Sequence, residues 1–127
     1  MNFNDKSALV NQFMAALEQA DESAIRQCYA DNAAIWHNFD GLEQTVDDNV
    51  ASLHWLRGHL DDIRYADVVH CDIADGLLQR HVMTGTSASG ESLAMPACVI
   101  FTIEGGRITR LEEYLDPTPL LSLIAAR

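Results

Sequence analysis

Glu113, His37 and Arg80 are the residues whose types and settings could do chemistry. The segment "RITRLEEYLD", Arg107 to Asp116, reads as a strand whose alternate side chains fall on opposite faces. One face carries Ile108, Arg110, Glu112 and Tyr114; the other carries Thr109, Leu111, Glu113 and Leu115. A carboxylate between two leucines on an inward face is costly to ionise, so its pKa rises unless a cation pairs with it. A carboxyl raised toward neutrality is what general acid/base catalysis uses. Arg80, in "LLQRHVMTG", sits mid-strand on the face of Leu78, Val82 and Thr84. From there it would pair with Glu113 across the sheet or hold an anionic substrate oxygen. The plainer alternatives are a structural Glu113–Arg80 ion pair or a carboxylate at a cavity mouth. His37 alternates with Ile35 and Phe39, opposite Ala34, Trp36 and Asn38. An imidazole there is either a satisfied core group or a proton carrier that titrates near neutrality.

Other reactive side chains suggest no further chemistry. His59, His70 and His81 have no metal-ligand spacing to a cysteine or carboxylate. His54 and His59 do not form the i, i+4 pair of a helical zinc site. No metal and no other cofactor is expected. Cys28, Cys71 and Cys98 are odd in number and widely spaced, which argues against a disulfide framework or a CxxC motif and for a reducing cytoplasm. Cys98 reads as a small apolar residue lining a pocket, with no adjacent cation to activate it. Trp55 reads most simply as a core or interface aromatic, on a helix whose face it cannot share with His54.

The elements that must position these groups follow from periodicity. Leu9, Val10, Phe13, Met14 and Leu17 recur at helical spacing, with Asn4 or Asp5 available as a cap. A second helix follows Asp21, with Ile25, Cys28 and Tyr29 on its apolar side. An extended segment of about 33–39 ends at the turn signal Asp40-Gly41. A third helix carries Val46, Val50, Leu53, Leu56 and Leu60. Four strands are then expected, at about 63–73, 77–86, 93–103 and 107–115, joined by hairpin-type breaks. Helices first and antiparallel strands afterwards predict one α+β domain over 1–127, three helices packed on a strongly curved, mostly antiparallel sheet.

The strand "LAMPACVIFTI" is apolar on both alternating faces. A sheet covered on both sides needs more than its own helices, so a homodimer is expected, with Ala97, Val99, Phe101 and Ile103 as the outer stripe. Pro96 suits an edge or bulge. The chain of 127 residues is 48% hydrophobic and 21% charged, the composition of an ordinary globular domain. Its 8 Lys and Arg against 19 Asp and Glu give a formal charge of −11, which argues against nucleic acid or an anionic membrane as partner. Neither a membrane-spanning apolar run nor a secretory leader pattern is present in the sequence.

The order of elements, with "YADNAAIWHNFDG" and "GGRITRLEEYLDPTPL", resembles the SnoaL-like branch of the nuclear-transport-factor-2-like superfamily. That resemblance implies a cone-shaped domain around a deep apolar cavity, a small hydrophobic ligand and usually a dimer. It aligns the ketosteroid isomerases' general base with His37, their tyrosine with Phe13 and their acidic aspartate with Cys98, so steroid isomerase chemistry is not expected. It aligns the epoxide hydrolases' arginine with Arg80, one aspartate with Val82 and the other with Glu113. The polyketide cyclases' acid/base aspartate also falls at Glu113. The resemblance therefore implies Glu113 and His37 as proton-transfer groups with Arg80 stabilising an oxyanion. Phe13, Trp55, Val82, Cys98, Leu111 and Leu115 would line the cavity. The expected activity is cyclisation, isomerisation or hydration of a small apolar carbonyl compound. The alternative is a ligand-binding or dimeric scaffold protein without turnover.

Overall fold

Helix α1 spans Phe3–Gln19 and buries Val10, Phe13, Met14 and Leu17, one stripe at helical spacing. A computed structural model of the chain describes residues 1–125. The α1 cap is Asn2 rather than Asn4 or Asp5, because the Asn2 side chain accepts from the Asp5 backbone N–H at 2.8 Å. Asp21 caps α2, Glu22–Cys28, by accepting from Ala24 N–H at 3.1 Å. Strand β1 covers Tyr29–His37, so Phe39 lies in the turn beyond it, and β2 is the two-residue strand Glu43–Gln44. Helix α3, Val46–Arg57, opens with a reciprocal capping box between Thr45 and Asp48. It ends before Leu60, which already belongs to the next strand.

The remaining strands are β3 (Leu60–Ile73), β4 (Gly76–Ser87), β5 (Ser92–Glu104) and β6 (Arg107–Leu115), followed by a fourth helix, α4 (Thr118–Ala125). The six strands form one open, mixed sheet in the order β2-β1-β6-β5-β4-β3. All neighbours are antiparallel except β1 and β6, which run parallel. The architecture is the α+β one that the order of elements predicts. Asp62 and Asp67 adopt positive φ where the β3–β4 register shifts, and such bulges bend the sheet. Pro96 pairs with Val82 on one side and lies one residue past the last β5–β6 pair, Ala97–Leu115, so β6 offers no partner for the N–H it lacks.

Two sets of side chains fill the concave face. Phe13 meets Tyr29 and Phe101 edge-on, with centroids 5.1 and 5.9 Å apart, at the centre of the larger cluster. Leu60, Ile63, Met83, Leu93, Met95 and Leu120 form the smaller cluster, which α4 covers. The β5 residues facing this interior are Leu93, Met95, Val99 and Phe101, all buried. Ala97, Val99 and Phe101 therefore cannot be the outer stripe expected from the sequence, and Cys98 and Ile100 take the outer side instead. Both faces of β5 are apolar, so composition could not choose between them, and a slip of one residue exchanges the faces. Ile108 is also buried rather than grouped with Arg110, because the ladder shifts register at Thr102/Ile103 opposite it.

Candidate active site

The cleft on the concave face, with a volume of about 310 Å³, is walled mainly by apolar side chains from α1, α3, β4, β5 and β6. Phe13, Leu111 and Leu115 line it, and Trp55 lines it from an exposed position where its ring packs on His59. Glu113 projects into it between the two leucines, with its side chain 21% exposed. His37 projects beside it, and His37 Nε2 lies 3.2 Å from Glu113 Oε1. Backbone pairing brings these two together. The parallel ladder sets His37 opposite Glu113. Asn38 then fastens the strands, its N–H donating to the Glu113 carbonyl at 3.1 Å and its Oδ1 accepting from Leu115 N–H at 3.0 Å. Trp36, one residue earlier, points to the other face and packs edge-on against Tyr114.

Arg80 does not join them. On β4 the buried residues include Leu77, Gln79, His81 and Met83, and Arg80 is exposed on the opposite side. With Val82 and Cys98 it borders a separate groove on the convex face, next to Tyr114. The expectation that Arg80, Val82 and Cys98 line the cleft is therefore corrected. The alignment that placed them inward was one residue out of phase on β4 and on β5, where either alternating set contains apolar residues.

The in-phase residues are Gln79 and His81, which the sequence reading did not single out. Their signal was present: two polar residues lie between Leu77 and Met83 on one face, as Glu113 lies between two leucines. Gln79 is fully buried and His81 is 4% exposed. A chain of hydrogen bonds runs through them, from Ser7 Oγ to His70 Nδ1 (3.0 Å), from His70 Nε2 to Gln79 Oε1 (2.7 Å) and from Gln79 Nε2 to His81 Nδ1 (2.8 Å). The His81 ring stands edge-on to Tyr65, 5.0 Å between centroids, and lines the cleft.

Among the described residues, two buried side-chain polar atoms lack a hydrogen-bond partner, Gln44 Oε1 and His81 Nε2, and both residues line the cleft. Native interiors rarely leave such groups unpaired, and the exceptions call for a functional explanation. Asn49 is satisfied, accepting from the buried Tyr29 hydroxyl at 3.0 Å. Burial, reinforced by the Glu113 charge, holds the Tyr29 and Tyr65 phenols far above their ordinary range, so both stay protonated. Burial lowers the pKa of His81, and the Glu113 charge opposes that shift more weakly. Among the described residues, no group of three or more His, Cys, Asp and Glu is placed to hold a metal ion, and no helix is long and apolar enough to cross a membrane.

This geometry can move a proton between a carboxylate and an imidazole in apolar surroundings. Comparison with known proteins agrees in architecture. The SnoaL-like domain model matches residues 10–111. A candidate polyketide cyclase from Xanthomonas campestris is 18% identical, with a TM-score of 0.84 over 98% of this chain and 99% of that one. IdmH, a candidate polyketide cyclase from Streptomyces antibioticus, is 16% identical, with a TM-score of 0.83 over 94% of this chain and 98% of that one. A protein of ketosteroid isomerase-like fold from Catenulispora acidiphila, solved with trimethylamine, is 14% identical, with a TM-score of 0.79 over 91% and 90%. At these identities the likeness concerns the fold. No curated protein matches the sequence significantly.

Proposed function

Because this chain belongs to the SnoaL-like domain family, we propose that it is a cofactor-free enzyme acting on a small, apolar, carbonyl-bearing molecule by acid/base chemistry. One observation carries the reading: a carboxylate and an imidazole 3.2 Å apart, largely withdrawn from solvent on the wall of an apolar cleft. Glu113 removes a proton from the carbon next to the carbonyl, and His37 orients the carboxylate and relays the proton. The resulting enolate closes a ring in an aldol-type step, or is reprotonated elsewhere to complete an isomerisation; hydration of a conjugated carbonyl would use the same pair. The candidate cyclases among the structural neighbours support the first of these.

The second reading is binding without turnover. It is favoured by the place of Arg80 outside the cleft, which removes the cation expected to steady a developing oxyanion. A turnover screen over neutral aryl and alkyl ketones followed by Glu113→Gln separates the two. The amide keeps the shape but transfers no proton, so activity should fall by about two to four orders of magnitude with the thermal midpoint retained. Turnover unchanged by this substitution would overturn the acid/base reading.

We also propose that the protein is a homodimer, through the convex face of the sheet rather than the stripe first expected. Val69 and Tyr114 are exposed there, with Val82, Cys98 and Ile100 half-buried beside them. A second copy would cover this strip, in which Arg80 lies between Val69 and Cys98, by the same strip, as a two-fold axis requires. Ile100→Asp should convert a dimer to monomer in sedimentation velocity. A wild type that is monomeric at micromolar concentration would remove the proposal.

A further inference from the structure

We propose that His81 is the ligand-anchoring donor of the cleft: its Nε2–H, fixed in that tautomer by the Ser7–His70–Gln79 chain, binds a neutral carbonyl oxygen and rejects a carboxylate. The tautomer follows from the chain. An amide nitrogen only donates, so the Gln79 Nε2 contact makes His81 Nδ1 an acceptor and leaves the ring proton of the neutral imidazole on Nε2. In this orientation the Gln79 oxygen accepts from His70 Nε2–H, and the other nitrogen of that ring then accepts from the Ser7 hydroxyl. A fully buried glutamine serving two histidines thus presets a donor on a ring that lines the cleft, and that donor, itself buried, has no protein partner.

The charge of the surroundings selects the ligand. Among the described residues, none that lines the cleft is lysine or arginine, whereas Asp40 and Glu113 do line it. A carboxylate there meets the like charge of Asp40 and Glu113, whereas a ketone, lactone or amide oxygen meets a matched partner in His81 Nε2–H. His81 stands on β4, two strands from Glu113 on the same concave face. A carbonyl held there leaves the rest of the molecule over the Glu113–His37 pair. The catalytic consequence rests on the acid/base reading above, but the binding claim does not.

The test compares two probes of one shape, 2-acetylnaphthalene and 2-naphthoate, against full-length protein labelled with nitrogen-15 histidine at neutral pH. His81 should show a protonated Nε2 and a bare Nδ1. The ketone should shift the Nε2 signal and bind at least tenfold more tightly than the carboxylate. His81→Phe should weaken the ketone by about five- to tenfold, the loss of one hydrogen bond. Gln79→Leu should do the same while mixing the His81 tautomers, with folding of both variants checked by thermal midpoint. Binding and the Nε2 signal are read without turnover, so failure of the proton-transfer reading leaves this result standing. A proton on Nδ1, an Nε2 signal that ignores the ketone, or ketone affinity unaltered in His81→Phe would each overturn the assignment.

Discussion

His37 and Glu113 are partners in the parallel β1–β6 ladder, and their side chains meet at 3.2 Å because both leave the same face at the same level. Groups on a single proton path do not act additively. His37→Gln should therefore cost about two orders of magnitude in kcat, and combining it with Glu113→Gln should cost little more than Glu113→Gln alone. Fully additive losses in kcat/KM would show that the two act separately.

Arg80 provides the opposite case. It faces away from the cleft, so Arg80→Ala should leave turnover and ketone binding within about twofold of the wild type, as exposed substitutions commonly do for stability. A tenfold loss of kcat with unchanged thermal midpoint would return Arg80 to the catalytic group.

Gly76 opens β4 where the chain passes close against β5. A Cβ at this position would sit 1.7 Å from the Phe101 carbonyl oxygen, a clash with backbone that no side-chain rotation relieves. Gly76→Ala should cost about 2 kcal/mol or more in urea denaturation. A midpoint equal to the wild type would mean that the β3–β4 hairpin shifts freely.

Stability should depend on pH through His81. Its folded-state pKa lies below the ordinary value of 6.5, so between those two values the unfolded chain binds more protons than the folded one. Stability then rises with pH across that window, and the contribution is complete above about 6.5 and lost as pH falls toward the folded pKa. His81→Phe should flatten the part of the profile just below pH 6.5 in chemical denaturation. Glu113 pulls the shift the other way, so the slope should be steeper in Glu113→Gln than in the wild type.

The sequence revealed elements more readily than faces. The α1 stripe, the Asp21 cap and the four long strands each had a local cause, a period or a side-chain hydrogen bond. Glu113 was legible for the same reason, since flanking leucines mark an inward position. His37 was legible through alternation with Ile35. The faces of β4 and β5 were not, because apolar residues occur on both and the choice is made by which neighbours pack against them. The Thr102/Ile103 register shift and the two-residue β2 arise from tertiary pairing and leave no periodic trace. Helix α4 was missed as well, although "TPLLSLIA" carries two turns of apolar residues.

The parallel pairing of β1 with β6 also sets the order in which the molecule comes together. Asn38 and Leu115, whose hydrogen bond fastens the two strands, are 77 residues apart in sequence. Contacts of that span carry a large loop-closure cost and form late. Strand β6 lies between β1 and β5, so until it is in place both present bare edges able to pair with another chain. During synthesis, β1 is made early and waits for a partner that emerges only after all the other strands. Completion of the sheet and assembly of the His37–Glu113 pair are one event, and a nascent chain halted before residue 107 has neither.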